Sequence, residues 1–133
     1  MSCGLIRRAE RGSMTVEFVL LAPLLIGLML FLFFAGRVVE AHGQVDGAAR
    51  DAARAASIAR SLGQADADAQ TAVNADIHSA QCAAPAVDGF APGSTAVTVT
   101  LSCSFDLTFL SFGTVTVTGH AVAPLDQFVA RTF

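Results

Sequence analysis

The chain has 133 residues, enough for one compact domain and hardly for two. Hydrophobic residues make up 53% and charged ones 14%, against roughly 25% charged in an ordinary soluble domain. A net charge of −3 with no lysine excludes a disordered polyelectrolyte and a basic nucleic-acid binder.

The excess apolarity is concentrated near the N-terminus. Residues 18–36 read FVLLAPLLIGLMLFLFFAG, without a charged side chain. As a helix this run spans about 28 Å, close to the hydrocarbon thickness of a bilayer. Lipid offers the backbone no hydrogen-bond partners, so a crossing here must be helical. A buried core helix is the alternative, but so short a chain has too little else to cover all its sides. Arg7, Arg8 and Arg11 precede the run, as they would in a secretory signal. The run is nevertheless too long for an h-region of roughly 7–15 residues, and no A-x-A site follows it. The Arg7-Arg8 pair alone is a thin basis for a twin-arginine signal. Arg37, Arg50 and Arg54 follow the run, so the arginines on its two sides balance. The long tail 37–133 can translocate regardless of charge, which leaves the short basic N-terminus in the cytoplasm. A single-pass membrane protein with an extracytoplasmic C-terminal domain is expected. Pro23 and Gly27 either permit a kink or are ordinary tenants of a membrane helix.

From residue 37 to 62 the apolar positions Val38, Ala41, Val45, Ala48, Ala52, Ala55, Ala59 and Leu62 alternate spacings of three and four. This predicts that the membrane helix continues outward, carrying Glu40, Asp46, Arg50, Arg54 and Arg60 on its other face, until Gly63 stops it. A mostly alanine stripe buries little area per residue and suits close approach to another element. A second, weaker helix is predicted over 65–80, through Ala65, Ala69, Val73, Ile77 and Ala80. Residues 83–94 hold Pro85, Gly89, Pro92 and Gly93 and read as a loop. From Thr95 the period changes to two. Val97, Val99, Leu101, Cys103 and Phe105 point one way, and Thr98, Thr100, Ser102 and Ser104 the other. Val115 and Val117 alternate likewise within 114–118, so an antiparallel pair is expected around the 106–113 connection. Residues 126–133 are too short to assign.

The three cysteines divide between the two sides of this topology. Cys3 lies in the N-terminal basic segment, while Cys82 and Cys103 fall in the exported part. These two are expected to form a disulfide, whose loop of about 20 residues contributes roughly 3 kcal/mol by chain entropy. Two separate buried thiols are the alternative.

Catalytic and metal motifs give no purchase. His42, His78 and His120 are isolated. Asp66, Asp68 and Asp76 lack the glycine and bidentate glutamate of a calcium loop. No G-x-S-x-G elbow, P-loop or G-x-G-x-x-G occurs. No enzyme activity, cofactor, metal or nucleic-acid partner is expected.

The junction before the apolar run carries more information. It reads Arg11-Gly12-Ser13-Met14-Thr15-Val16-Glu17-Phe18, with one acid at the edge of hydrocarbon. Glu17 could simply rest in headgroup water. The sharper reading uses its spacing from Gly12: a cut after Gly12 creates a positive amine at Ser13, which can neutralise Glu17 of a neighbouring chain when helices assemble.

This arrangement resembles type IV prepilins, whose leader peptidase cuts after a glycine and leaves Glu at the fifth mature position with an aromatic after it. Here Gly12, Glu17 and Phe18 match. The run RGSMTVEFVLLAPLL, then Gly36-Arg37, then AARDAARAAS, resembles the TadE-like minor pseudopilins of the tight-adherence (Flp) pilus system. The likeness covers residues 7 to about 62, and the C-terminal part agrees only in character. Phe18 stands where the major pilins commonly have Tyr, and the leader carries an acid, Glu10.

This resemblance, laid over the pattern of elements above, gives an α+β protein with four parts. These are a leader (1–12), the transmembrane part of a long helix (13–36), its extracytoplasmic continuation (37–62), and a small domain with a short helix and an antiparallel sheet (63–133). It implies a pilin-like structural subunit or assembly factor, cut by a prepilin peptidase between Gly12 and Ser13 and packing through its apolar helix. Its partners would be that peptidase, other pilin or pseudopilin subunits, pilus assembly proteins and membrane lipid, with incorporation into a surface pilus. The major Flp pilins are much shorter, which favours a minor component. The alternative is a single-pass anchored binding domain that keeps its leader.

Overall fold

The computed structural model describes residues 10–78, 80–106, 108 and 113–131, with side chains from Val16 onward. The first nine residues of the expected leader, with Cys3, lie outside the described residues, as does most of the 106–113 connection. Among these residues two helices are followed by four strands: α1 (Glu10–Ser57), α2 (Leu62–Asp76), β1 (Gln81–Cys82), β2 (Ala86–Asp88), β3 (Ala96–Asp106) and β4 (Thr114–Pro124). The class is α+β, as expected. The chain divides into two compact units, Met1–Val38 and Val39–Phe133.

In the second unit, α1 buries Val45, Ala48, Ala49, Ala52, Ala53 and Ala56. Spacings of three and one make this stripe wider than the expected heptad-like line. Ala49, Ala53 and Ala56 join it, and Ala55 is only half-buried. An ordinary helix of period 3.6 lying on a sheet presents such a broad face, whereas a narrow seam suits a coiled coil. The arginines Arg50 and Arg54 are exposed on the other side.

The helix ends at Ser57, before the expected residue 62, and Gly63 lies inside α2 instead of stopping α1. The cause is local hydrogen bonding. The Ser57 hydroxyl donates to the Arg54 carbonyl over 2.7 Å. Ser61, in extended conformation, caps α2 by accepting from the Gln64 amide at 3.3 Å, while Gln64 Oε1 accepts from the Arg60 amide at 3.2 Å. Ser-x-x-Gln is a capping-box pattern, and it was legible in the sequence. Beyond it α2 buries Ala65, Ala69 and Val73 and ends at Asp76, four residues before the expected boundary.

The sheet is antiparallel and centred on β3. One edge of β3 pairs with β4 along eleven consecutive residue pairs, from Ala96↔Pro124 to Asp106↔Thr114. The other edge takes β1 opposite Cys103 and Ser104, and β2 opposite residues 98–100. The predicted alternation holds: Val97, Val99, Leu101, Cys103 and Val117 are buried against the helices, while the intervening Thr and Ser face outward. β4 is longer than the expected 114–118, because Gly119 and Ala121 continue its buried face in residues too small to show a period. β2 falls within the expected loop. Ala-Val-Asp is too short to carry a visible period among its prolines and glycines, yet Gly89 at φ +85° returns the chain to β3.

Candidate functional site: the N-terminal junction and the exposed apolar helix

Among the described residues of the first unit nothing covers α1. Phe18 is 74% exposed, Leu24 71% and Met29 74%, and the apolar side chains between them are exposed throughout. Soluble monomers rarely leave contiguous apolar patches above a few hundred Å². The described helix from Val16 is long and apolar enough to cross a membrane, consistent with a membrane-anchored protein. At its far end Arg37 places its guanidinium 5.5 Å from the centre of the Phe33 ring. A long basic side chain folded onto an aromatic ring suits a boundary between hydrocarbon and water.

The helix is continuous through Pro23 and Gly27, and a side chain at Gly27 would meet nothing within 4 Å. Pro23 withholds one amide from the helical ladder, a loss neighbouring helices or local adjustment can make good in a membrane. Gly12 and Ser13 belong to the first turns of the same helix, and Glu17 is exposed one turn further on. Ser13 and Glu17, four residues apart, therefore share one helix face.

Cys82 and Cys103 form a disulfide. They are register partners on β1 and β3 with Cα atoms 3.9 Å apart, and Cys103 is fully buried. Long reach across the 83–94 segment is not needed, because β1 lies directly beside β3. The bond clasps a two-residue strand that otherwise holds by little.

Three further features were not read from the sequence. Arg131 donates to the carbonyls of Ser57 and Asp126 and lies 5.9 Å over the Phe90 ring, which fastens the C-terminal segment to the end of α1. A cation there complements the negative end of the helix dipole. The second feature is Gly119, where an added Cβ would stand 2.9 Å from both Val45 Cγ1 and the Val45 carbonyl. A long separation such as Ser57 to Arg131 leaves no local signal, and a close-approach glycine looks like any other until its neighbour is known. The third is a groove lined by Arg54 and Ile58 of α1 and residues 122–128.

An exposed apolar N-terminal helix and a small, disulfide-clasped α+β domain are consistent with a membrane-anchored protein. Residues 12–54 match the profile of the TadE-like protein family, as the sequence resemblance implied, and that family is associated with the tight-adherence pilus. The match begins at Gly12 and runs through the apolar helix into the alanine stripe. No curated protein and no solved structure matches the chain.

Proposed function

We propose that this protein is a pilin-like structural subunit or assembly factor of a tight-adherence pilus, cut by a prepilin peptidase between Gly12 and Ser13. The observation that carries the reading is the coincidence of the TadE-like segment, residues 12–54, with a helix whose apolar side chains are uncovered. Such a helix can exchange lipid neighbours for sister helices, provided that packing and polar pairing supply what apolar contact alone does not in lipid. Glu17, with the amine created at Ser13, is the polar pair we assign to that step. The function is structural, and its partners are the peptidase, other pilin or pseudopilin subunits, pilus assembly proteins and membrane lipid.

The Cys82–Cys103 disulfide supports an oxidising compartment for the second unit. We therefore orient the chain with its N-terminus cytoplasmic and its C-terminal domain outside.

Intact mass of the membrane-extracted protein tests the reading. Loss of residues 1–12 is expected in the native host, and Gly12→Phe should leave them attached while the protein still inserts. A full-length wild-type chain would instead make it an anchored extracytoplasmic binding domain.

A further inference from the structure

The two sulfurs of the disulfide stand in unequal places. Cys103 lies on the central strand β3, between Val117 of β4 on one side and Cys82 of β1 on the other, and it is 0% exposed. Cys82 is half-buried on a strand of two residues, and among the described residues only β3 lies beside that strand. β1 is held by two register pairs and an adjoining bond of 2.9 Å from the Ala83 amide to the Ser102 carbonyl. β3 and β4 share eleven pairs, and the fully buried core contains no residue of β1. A short edge strand opens at low cost, whereas a central strand opens only with its domain. Cys82 is therefore the half of the pair that a second protein can reach.

Disulfides form by attack of a thiolate on a disulfide sulfur, through a mixed disulfide, so one cysteine must first meet the sulfur of an oxidant. We propose that Cys82 is the entry cysteine for an extracytoplasmic thiol–disulfide oxidoreductase, and that Cys103 is the resolving one. In the first step the Cys82 thiolate attacks one sulfur of the partner's disulfide. That bond breaks, the mixed disulfide forms, and the partner's other sulfur leaves as a thiolate. In the second step the Cys103 thiolate attacks the Cys82 sulfur, and the partner's remaining sulfur leaves. Through water the two thiol protons end on the partner's sulfurs, and two electrons pass from the chain to the partner. Cys103 needs no mobility for its step, because register pairing holds the two Cα atoms 3.9 Å apart. In reverse, a dithiol partner opens the bond by attacking Cys82.

This exchange takes place on the side of the membrane proposed for the second unit, but its chemistry can be read on purified protein whatever the orientation. The test uses the full chain in detergent micelles with Cys3→Ser, so that only Cys82 and Cys103 can react. Oxidised glutathione is the probe, and intact mass follows its adduct. Cys103→Ala, which leaves Cys82, should take up glutathione at least about tenfold faster than Cys82→Ala, which leaves Cys103. The difference should vanish in urea, where both sulfurs are exposed.

Because either variant can loosen the domain, the intact disulfide is probed as well. Reduced glutathione is added to the native chain, free thiols are blocked with N-ethylmaleimide, and peptide mapping locates both adducts. Glutathione on Cys82 and maleimide on Cys103 are expected. Equal rates for the two single-cysteine chains, with their folds intact by circular dichroism, overturn the proposal. So does glutathione on Cys103 of the native chain.

Discussion

At Gly119 the sequence leaves one hydrogen where α1 needs the space. A Cβ there would meet the Val45 carbonyl and Cγ1 at 2.9 Å and Asp46 Oδ1 at 3.1 Å. The carbonyl belongs to a helix and cannot swing aside, so the whole helix–strand contact must open. Gly119→Ala is expected to cost about 1–3 kcal/mol, as overpacking does. Gly43, exposed within α1 with open space at its Cβ, makes the matched control. Gly43→Ala should stabilise by about 0.5–1 kcal/mol through helix propensity. Urea denaturation of both variants in one detergent checks the pair, and equal effects would refute the close-approach account.

A second single-residue effect sits at the end of β3. The Thr108 hydroxyl, and then its backbone amide, donate to the Asp106 carboxylate and hold its pKa below the usual value. Hydrogen bonds to the charged form have this sign. A depressed folded pKa contributes stability that is complete above the ordinary Asp value of about 3.9 and is lost only as pH falls through the lower folded value. Thr108→Val removes the larger cause, so the Asp106 carboxyl should titrate closer to its ordinary range by NMR. An unchanged titration would assign the shift elsewhere.

Among the elements, what the sequence disclosed depended on length and residue size. β3 was legible because eleven alternating residues include Val97, Val99 and Leu101 on one face, enough to reveal a period of two. The same reasoning could not see β2, with three residues, or the far half of β4, where Gly119 and Ala121 provide the buried face. The α1–α2 break went unread because an alanine-rich stripe continues through Ala59, while the decisive signal was the polar pair Ser61 and Gln64. At the candidate site, the apolar helix and the cysteine pair were readable from pattern and spacing. Arg131 was not, because it acts across 74 residues of chain. The disulfide gives a prediction at this scale. β1 contributes only two register pairs, so the cross-link is its main fastening. Cys82→Ala with Cys103→Ala should cost about 3 kcal/mol, by the entropy of its loop. Amide exchange should accelerate first at Gln81 and Cys82, before the rest of the sheet. Uniform acceleration across β3 and β4 would mean that the bond secures the whole sheet instead.

For the whole molecule, the consequence to test is how one carboxylate couples processing to assembly. Glu17 stands exposed at the edge of an apolar helix, four residues beyond the nitrogen that a cut after Gly12 would turn into an amine. If Glu17 only rests in headgroup water, Glu17→Val should change little and insertion should gain slightly from the lost charge. In the assembly we propose, the amine of one chain and the carboxylate of the next are buried together as helices replace lipid. Removing one member of a buried pair leaves the other unpaired and typically costs about 3–5 kcal/mol, enough to abolish a marginal association step. Nothing in this argument makes the carboxylate necessary for insertion, export or cleavage. Glu17→Val should therefore reach the membrane and lose residues 1–12 like the wild type, yet fail to co-purify with its pilus partners. Intact mass reports the processing and affinity capture reports the incorporation, measured on the same extract. A variant processed and incorporated normally would end the charge-pairing account while leaving the TadE-like segment and its uncovered helix as they stand.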